Sequence, residues 1–175
     1  MTRLAYAYVR VLFILETMLF TGSLLLHASV IAGGKEAGAE YGPILFRGTI
    51  IVGVAATAFI KDGLKWIDQI KSCPPWMWKG ALILGVYGLL LLCLPAIFPA
   101  GPSLPDETLT VSGVPLGFDA IYICILCSVL WSAYLDKSEV IKRVQKSIIV
   151  VAFGAVAFLP YRAVYLPRPN THKGG

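Results

Sequence analysis

Apolar residues along this chain fall into five long blocks, at residues 11–32, 44–60, 80–98, 116–135 and 148–166, with polar residues confined mainly to the stretches between them. A helix crossing about 30 Å of hydrocarbon at 1.5 Å per residue needs roughly 20 apolar residues, and each block comes close to that length. The fifth is the weakest, since its uninterrupted run stops at Pro160 and Arg162 follows. No block alternates polar and apolar residues as a barrel wall must. The pattern predicts an all-α integral membrane protein. It is a single transmembrane helical domain over residues 1–175, a bundle of five spans, or of four if the last block lies in the interface.

Composition narrows the class further. Of 175 residues, 57% are hydrophobic and 14% charged, with a mean hydropathy of +0.75, whereas a soluble globule carries about 25% charged residues. A soluble enzyme, a disulfide scaffold and a disordered tail are excluded. The net charge of +5 does not point to nucleic acid, because the cations sit beside apolar blocks and form no water-facing basic surface.

Their placement speaks to topology. Arg3 and Arg10 precede the first block, Lys61, Lys65, Lys71 and Lys79 separate the second from the third, and Lys137, Lys142, Arg143 and Lys146 follow the fourth. The opposite connectors carry Lys35, Arg47 just inside the second block, and a proline-rich stretch with Asp106 and Glu107. By the positive-inside rule the N-terminus is expected in the cytoplasm, with the chain multi-pass in a bacterial inner membrane and in contact with anionic lipid. Arg162, Arg168 and Lys173 fit this poorly after five spans and favour the four-span alternative. The first block imitates a signal peptide, but it is too long and is interrupted by Glu16, so it is expected to be retained.

Ionisable residues inside the blocks carry the candidate chemistry, because each costs about 2.5–3.5 kcal/mol at the centre of a lipid-facing helix unless it finds a partner. Glu16, Ser23 and His27 share one face of the first helix at 100° per residue, and that face is expected to turn inward. Compared by depth, His27, Arg47 and Asp119 gather in the outer half. The plain reading is a buried Arg47–Asp119 ion pair with His27 hydrogen-bonded nearby. The functional one is a pocket for a quinone or lipid head group, with Asp119 setting the His27 tautomer. Haem or chlorophyll is disfavoured, as the only other imidazole is His172 in the polar tail. Glu16 is read as a structural hydrogen-bond partner of Thr17, Ser132 or Tyr134. Its alternative is the proton-carrying acid of a transporter, for which partner acids, basic residues or broken helices are expected elsewhere at mid-membrane, whereas the second, third and fifth blocks offer mainly Gly, Ala, Ser and Thr.

Four cysteines, Cys73, Cys93, Cys124 and Cys127, have neither the spacing of a zinc site nor that of a secreted disulfide framework. The Cys124-Ile125-Leu126-Cys127 pair resembles the motif of the vitamin K epoxide reductase family, which implies a membrane thiol/quinone oxidoreductase; on block boundaries the pair lies about 12 Å below the outer surface, level with Cys93. That family also relays electrons through cysteines in an outward loop, and residues 33–43 and 99–115 contain none. The plainer reading is packing.

Cys73-Pro74-Pro75-Trp76-Met77 is an interfacial anchor, with prolines ending a helix and tryptophans at head-group depth. Together with Leu26-His27-Ala28-Ser29-Val30 and Ser112-Gly113, it resembles segments of small bacterial multi-pass membrane proteins of uncharacterised role. This implies about four shared helices and no particular activity. Small residues, Gly48, Gly53 and Ala56, then Gly80, Gly85 and Gly88, then Gly154 and Ala157, suit close helix packing within the bundle or against a partner. The chain shows no nucleophile-and-base set, phosphate loop or metal cluster. The sequence therefore points to a noncatalytic subunit of a larger respiratory or photosynthetic membrane complex, in contact with lipids and other membrane subunits. The thiol oxidoreductase and the Glu16 transporter are the alternatives.

Overall fold

The computed structural model describes residues 2–60, 65–97, 107–131 and 137–165, with side chains placed for most of these. Lys61, Asp106, Ser132, Tyr134, Arg168, His172 and Lys173 lie outside the described residues, and so do the side chains of Lys35, Glu107, Ala157 and Arg162. Six helices are present, α1 (Thr2–Ile31), α2 (Lys35–Thr57), α3 (Lys65–Lys71), α4 (Pro75–Ile97), α5 (Glu107–Trp131) and α6 (Lys137–Tyr165), with no strand among the described residues. Three stretches, Arg3–Ile31, Pro75–Cys93 and Leu109–Trp131, are long and apolar enough to cross a membrane. The chain is thus an all-helical protein with at least these three candidate spans.

Each long helix starts ahead of its apolar block: at residue 2 rather than 11, 35 rather than 44, 75 rather than 80, 107 rather than 116, and 137 rather than 148. An apolar run measures only the length that needs lipid. The flanking Ala, Glu, Lys and Arg are good helix formers, and extending an existing helix adds a hydrogen bond for every residue fixed. Pro75 opens α4 at the position where a missing N–H costs nothing. The α1–α2 corner is closed by Gly33 at φ 101°. There the Gly34 N–H donates to Ser29 O at 2.9 Å and the Gly33 N–H to Val30 O at 3.0 Å, the paired bonds of a Schellman ending.

α5 is the centre of the bundle. In its apolar window 67% of residues are buried, against 28% for α1 and 17% for α4, because α1, α2 and α4 all pack on it. Glycines set the closest approach. A Cβ on Gly117 would stand 2.5 Å from Leu84 O, and one on Gly88 3.2 Å from the Gly117 Cα, so α4 and α5 meet backbone to backbone.

One end of the bundle is stitched by hydrogen bonds. Arg143 on α6 donates to Ile60 O at 2.7 Å and to Glu139 at 2.7 Å, while Gln69 on α3 donates to Phe59 O at 3.0 Å. These cover carbonyls of the turn that follows α2. Ser147 donates to Ala55 O at 2.8 Å and lies 2.9 Å from the Tyr8 hydroxyl, tying α6 to α2 and α1. Arg3, Arg10, Lys65, Lys71, Lys137, Lys142 and Lys146 belong to the same end, hereafter the cationic end.

Candidate functional site

Glu16, Ser23 and His27 all point inward from α1, with 0%, 0% and 5% of their surface exposed. The angular spacing expected of them holds, and α5 supplies the facing polar positions, Ser112 and Asp119, one helical stripe seven residues apart. Because α1 and α5 run antiparallel, the two stripes meet as a ladder.

At the upper rung, His27 Nδ1 is 2.9 Å from Ser112 Oγ and His27 Nε2 is 2.8 Å from the Tyr87 hydroxyl. Ser112 donates its one proton to Leu109 O at 3.1 Å. Its oxygen therefore accepts from Nδ1–H, and Nε2 accepts from the Tyr87 O–H, which determines the tautomer. The Tyr87 ring meets the imidazole edge-on, with centroids 5.5 Å apart. Gly113 makes room for this arrangement, since a Cβ there would stand 2.9 Å from His27 Cε1. The Leu26–Val30 and Ser112-Gly113 segments, remote in sequence, thus touch through His27.

One rung further along, Ser23 donates to Asp119 Oδ2 at 3.2 Å. Glu16 lies within interaction range of Asp119, and Thr49 of α2 is within reach of the same carboxyl. Tyr122, one turn along α5, lies within electrostatic range of both acids. Its ring rests on Gly53 of α2, where a Cβ would come within 2.6 Å of Cε2. Both Glu16 oxygens, Asp119 Oδ1 and Thr49 Oγ1 are buried without a hydrogen-bond partner. Unpaired polar groups of this kind are uncommon in a buried setting and each requires an explanation.

The expected constellation of His27, Arg47 and Asp119 is not assembled. Arg47 is exposed on α2, Asp119 takes its hydrogen bond from Ser23, and His27 takes its partners from Ser112 and Tyr87. Arg47 is the outlier because it falls on the exposed face of α2, where its long side chain can reach polar surroundings. Thr17 also falls away from Glu16, closing instead on Phe13 O at 2.7 Å. Sequence reasoning missed Tyr87, Thr49 and Tyr122. The available signal was a hydroxyl near the middle of an apolar block rather than at its edge.

The cysteines are also repositioned. Since α5 starts at Glu107, Cys124 and Cys127 fall near its far end, beside the α3–α4 corner and away from Cys93 near the end of α4. Cys73 Sγ donates to Cys124 O at 3.2 Å, and all four cysteines are free thiols. The hydrogen bond with Cys124, together with burial, holds the Cys73 thiol well above the usual thiol range, opposite to what a redox nucleophile needs. Among the described residues no group of His, Cys, Asp and Glu could hold a metal.

The small-residue faces are largely consumed within the chain: Gly48 lies against Leu19, Gly53 against Tyr122, Gly85 against Ile121 and Gly88 against Gly117, while Gly80 has open space. In comparisons with known proteins, no family model, no curated protein and no solved structure matches this chain.

Proposed function

We propose that this chain is a small proton-coupled membrane carrier in which Glu16 and Asp119 hold the coupling proton. One observation carries the reading: two buried acids lie within interaction range, and three of their four carboxyl oxygens make no hydrogen bond. An ionised carboxyl only accepts, whereas a protonated one also donates. One proton between the pair supplies the missing donor, and a second, exchangeable one makes the pair neutral. The partner acid that a Glu16 transporter requires is supplied by Asp119. Near the middle of α1 and α5, an unpaired charge at this depth costs about 2.5–3.5 kcal/mol, so loss and regain of a proton there is an energetic event large enough to drive a conformational step.

In this reading α2 and α6 also cross the membrane, giving five spans. The N-terminus and the cationic end face the cytoplasm of a bacterial cell. Support comes from the concentration of Lys and Arg at that end, against Lys35, Arg47 and Arg162 on the helices of the other.

Infrared difference spectroscopy on protein in lipid tests the proton. A protonated-carboxyl band should appear in the wild type, shift when water is replaced by deuterium oxide, and vanish in the Glu16→Gln/Asp119→Asn double variant. A band that is absent, or that never exchanges, overturns the reading. In liposomes, solute uptake driven by a pH gradient should be abolished by Glu16→Gln.

A further inference from the structure

α2 and α4 both pack on α5 but leave a cleft between them, with a volume of about 210 Å³. Phe46 and Thr49 of α2, Leu92 of α4, and Phe118 and Tyr122 of α5 are among its walls. Its rim residues Ile50, Val54 and Leu92 are exposed large hydrophobics on helix faces suited to lipid, so the entrance is apolar. Its inner wall is different. Thr49 Oγ1 is buried there without a partner, and Thr49 and Tyr122 both lie within range of Asp119.

We infer that this cleft binds a lipophilic organic cation, a single aromatic ring bearing a quaternary or tertiary ammonium group, that enters from the bilayer and is balanced by the Glu16/Asp119 pair. Size comes first: an apolar cavity of roughly 150 Å³ takes a benzene ring, so 210 Å³ accommodates a ring with a compact substituent. Charge comes second. Two residues of the cleft wall, Thr49 and Tyr122, lie within range of the acids, while Arg47, two residues from Thr49, lies about 200° around the helix from it and is exposed. Aromatic chemistry comes third, as the Phe118 and Tyr122 rings stack with centroids 6.5 Å apart beside the acids. Ring faces attract cations, the more so once water is excluded.

The inference rests on the proton-carrier reading and names its substrate class. A doubly protonated pair is neutral when the cleft is empty, and a singly protonated pair is neutral when a monovalent cation occupies it. Each cation bound therefore releases one proton to water, and both states of the site avoid a net charge in lipid.

Phenyltrimethylammonium and its uncharged isostere tert-butylbenzene provide the test, with the full chain in lipid nanodiscs. Expected are saturable binding of one phenyltrimethylammonium per chain, release of about one proton in weak buffer, and affinity that falls as pH is lowered. Affinity should drop at least tenfold in Asp119→Asn, and equally in Val54→Phe, a rim substitution that fills the cleft while leaving the infrared carboxyl band intact. Equal binding of tert-butylbenzene, binding unaffected by Val54→Phe, or no saturable binding overturns the inference. An exchanging carboxyl band in a protein that does not bind the cation leaves the carrier reading standing. A missing band removes both.

Discussion

His27 and Ser112 are 85 residues apart in sequence and 2.9 Å apart in space. Because the Ser112 proton is committed to Leu109 O, this contact orients the imidazole and turns its other nitrogen toward Tyr87. The rung is a chain of three hydrogen bonds in an apolar interior, and each member has one role that its neighbours depend on.

Removing those members should therefore have unequal effects. Tyr87→Phe takes away a donor from a group that can remain an acceptor, and is expected to cost about 0.6–1.7 kcal/mol, the range for hydrogen bonds between membrane helices. Ser112→Ala strands the Nδ1–H and is expected to cost more, about 1–3 kcal/mol. Reversible unfolding in mixed micelles measures both; equal losses would contradict the assigned tautomer.

Alanine substitution at glycines should sort by what the new methyl meets. At Gly117 it meets backbone, Leu84 O at 2.5 Å, so α4 and α5 must separate and a loss of about 1–3 kcal/mol or more is expected. At Gly48 it meets the flexible end of Leu19 at 2.7 Å, and the loss should be smaller. At Gly80 nothing lies within 4 Å, and alanine should be neutral or stabilise by about 0.4–1 kcal/mol. Melting temperatures of the three variants give the order.

Arg143→Lys tests the closure of α2. Lysine keeps the charge but not the planar fork that reaches both Ile60 O at 2.7 Å and Glu139. Expected is a loss of about 1–3 kcal/mol, with faster hydrogen exchange in the residues around Ile60. Unchanged exchange there would show that the guanidinium does not secure this end.

Cys73 predicts a pH dependence of known sign. Its thiol is held above the ordinary value by the Cys124 hydrogen bond and by burial, while in the unfolded chain it titrates near pH 8.5, an approximate reference value. An acid with a raised native value contributes stability below the unfolded value and loses it above, as the unfolded chain releases its proton first. Stability should thus decline above about pH 8.5 in the wild type, and less so in Cys73→Ser. Maleimide labelling of Cys73 at neutral pH should be slow in the folded protein and fast after denaturation.

Much of the site was legible as angle and little of it as partnership. Glu16, Ser23 and His27 face inward together because 100° per residue is a property of the helix itself. Asp119 was legible as an anomaly, since a carboxyl in an apolar block is costly wherever it lies. Its association with Ser23 and Glu16 instead of Arg47 depends on the order and rotation of packed helices, to which a periodicity is blind. The nine-residue error in the start of α5 carried the Cys124–Cys127 pair to the wrong end, because depth was measured from the apolar boundary and not from the first helical turn.

Taken alone, the sequence established a helical chain with apolar blocks long enough to cross a membrane and with its cations concentrated beside particular blocks, because desolvation acts on each residue locally and needs no knowledge of the rest. The tertiary structure decided which helix is central, that the glycines of α4 and α5 meet backbone to backbone, and that two acids from opposite halves of the chain occupy one buried space. Those outcomes follow from the packing of whole helical surfaces, where the fit of one pair of faces excludes others. Side-chain geometry across α1, α2, α4 and α5 is a product of that competition.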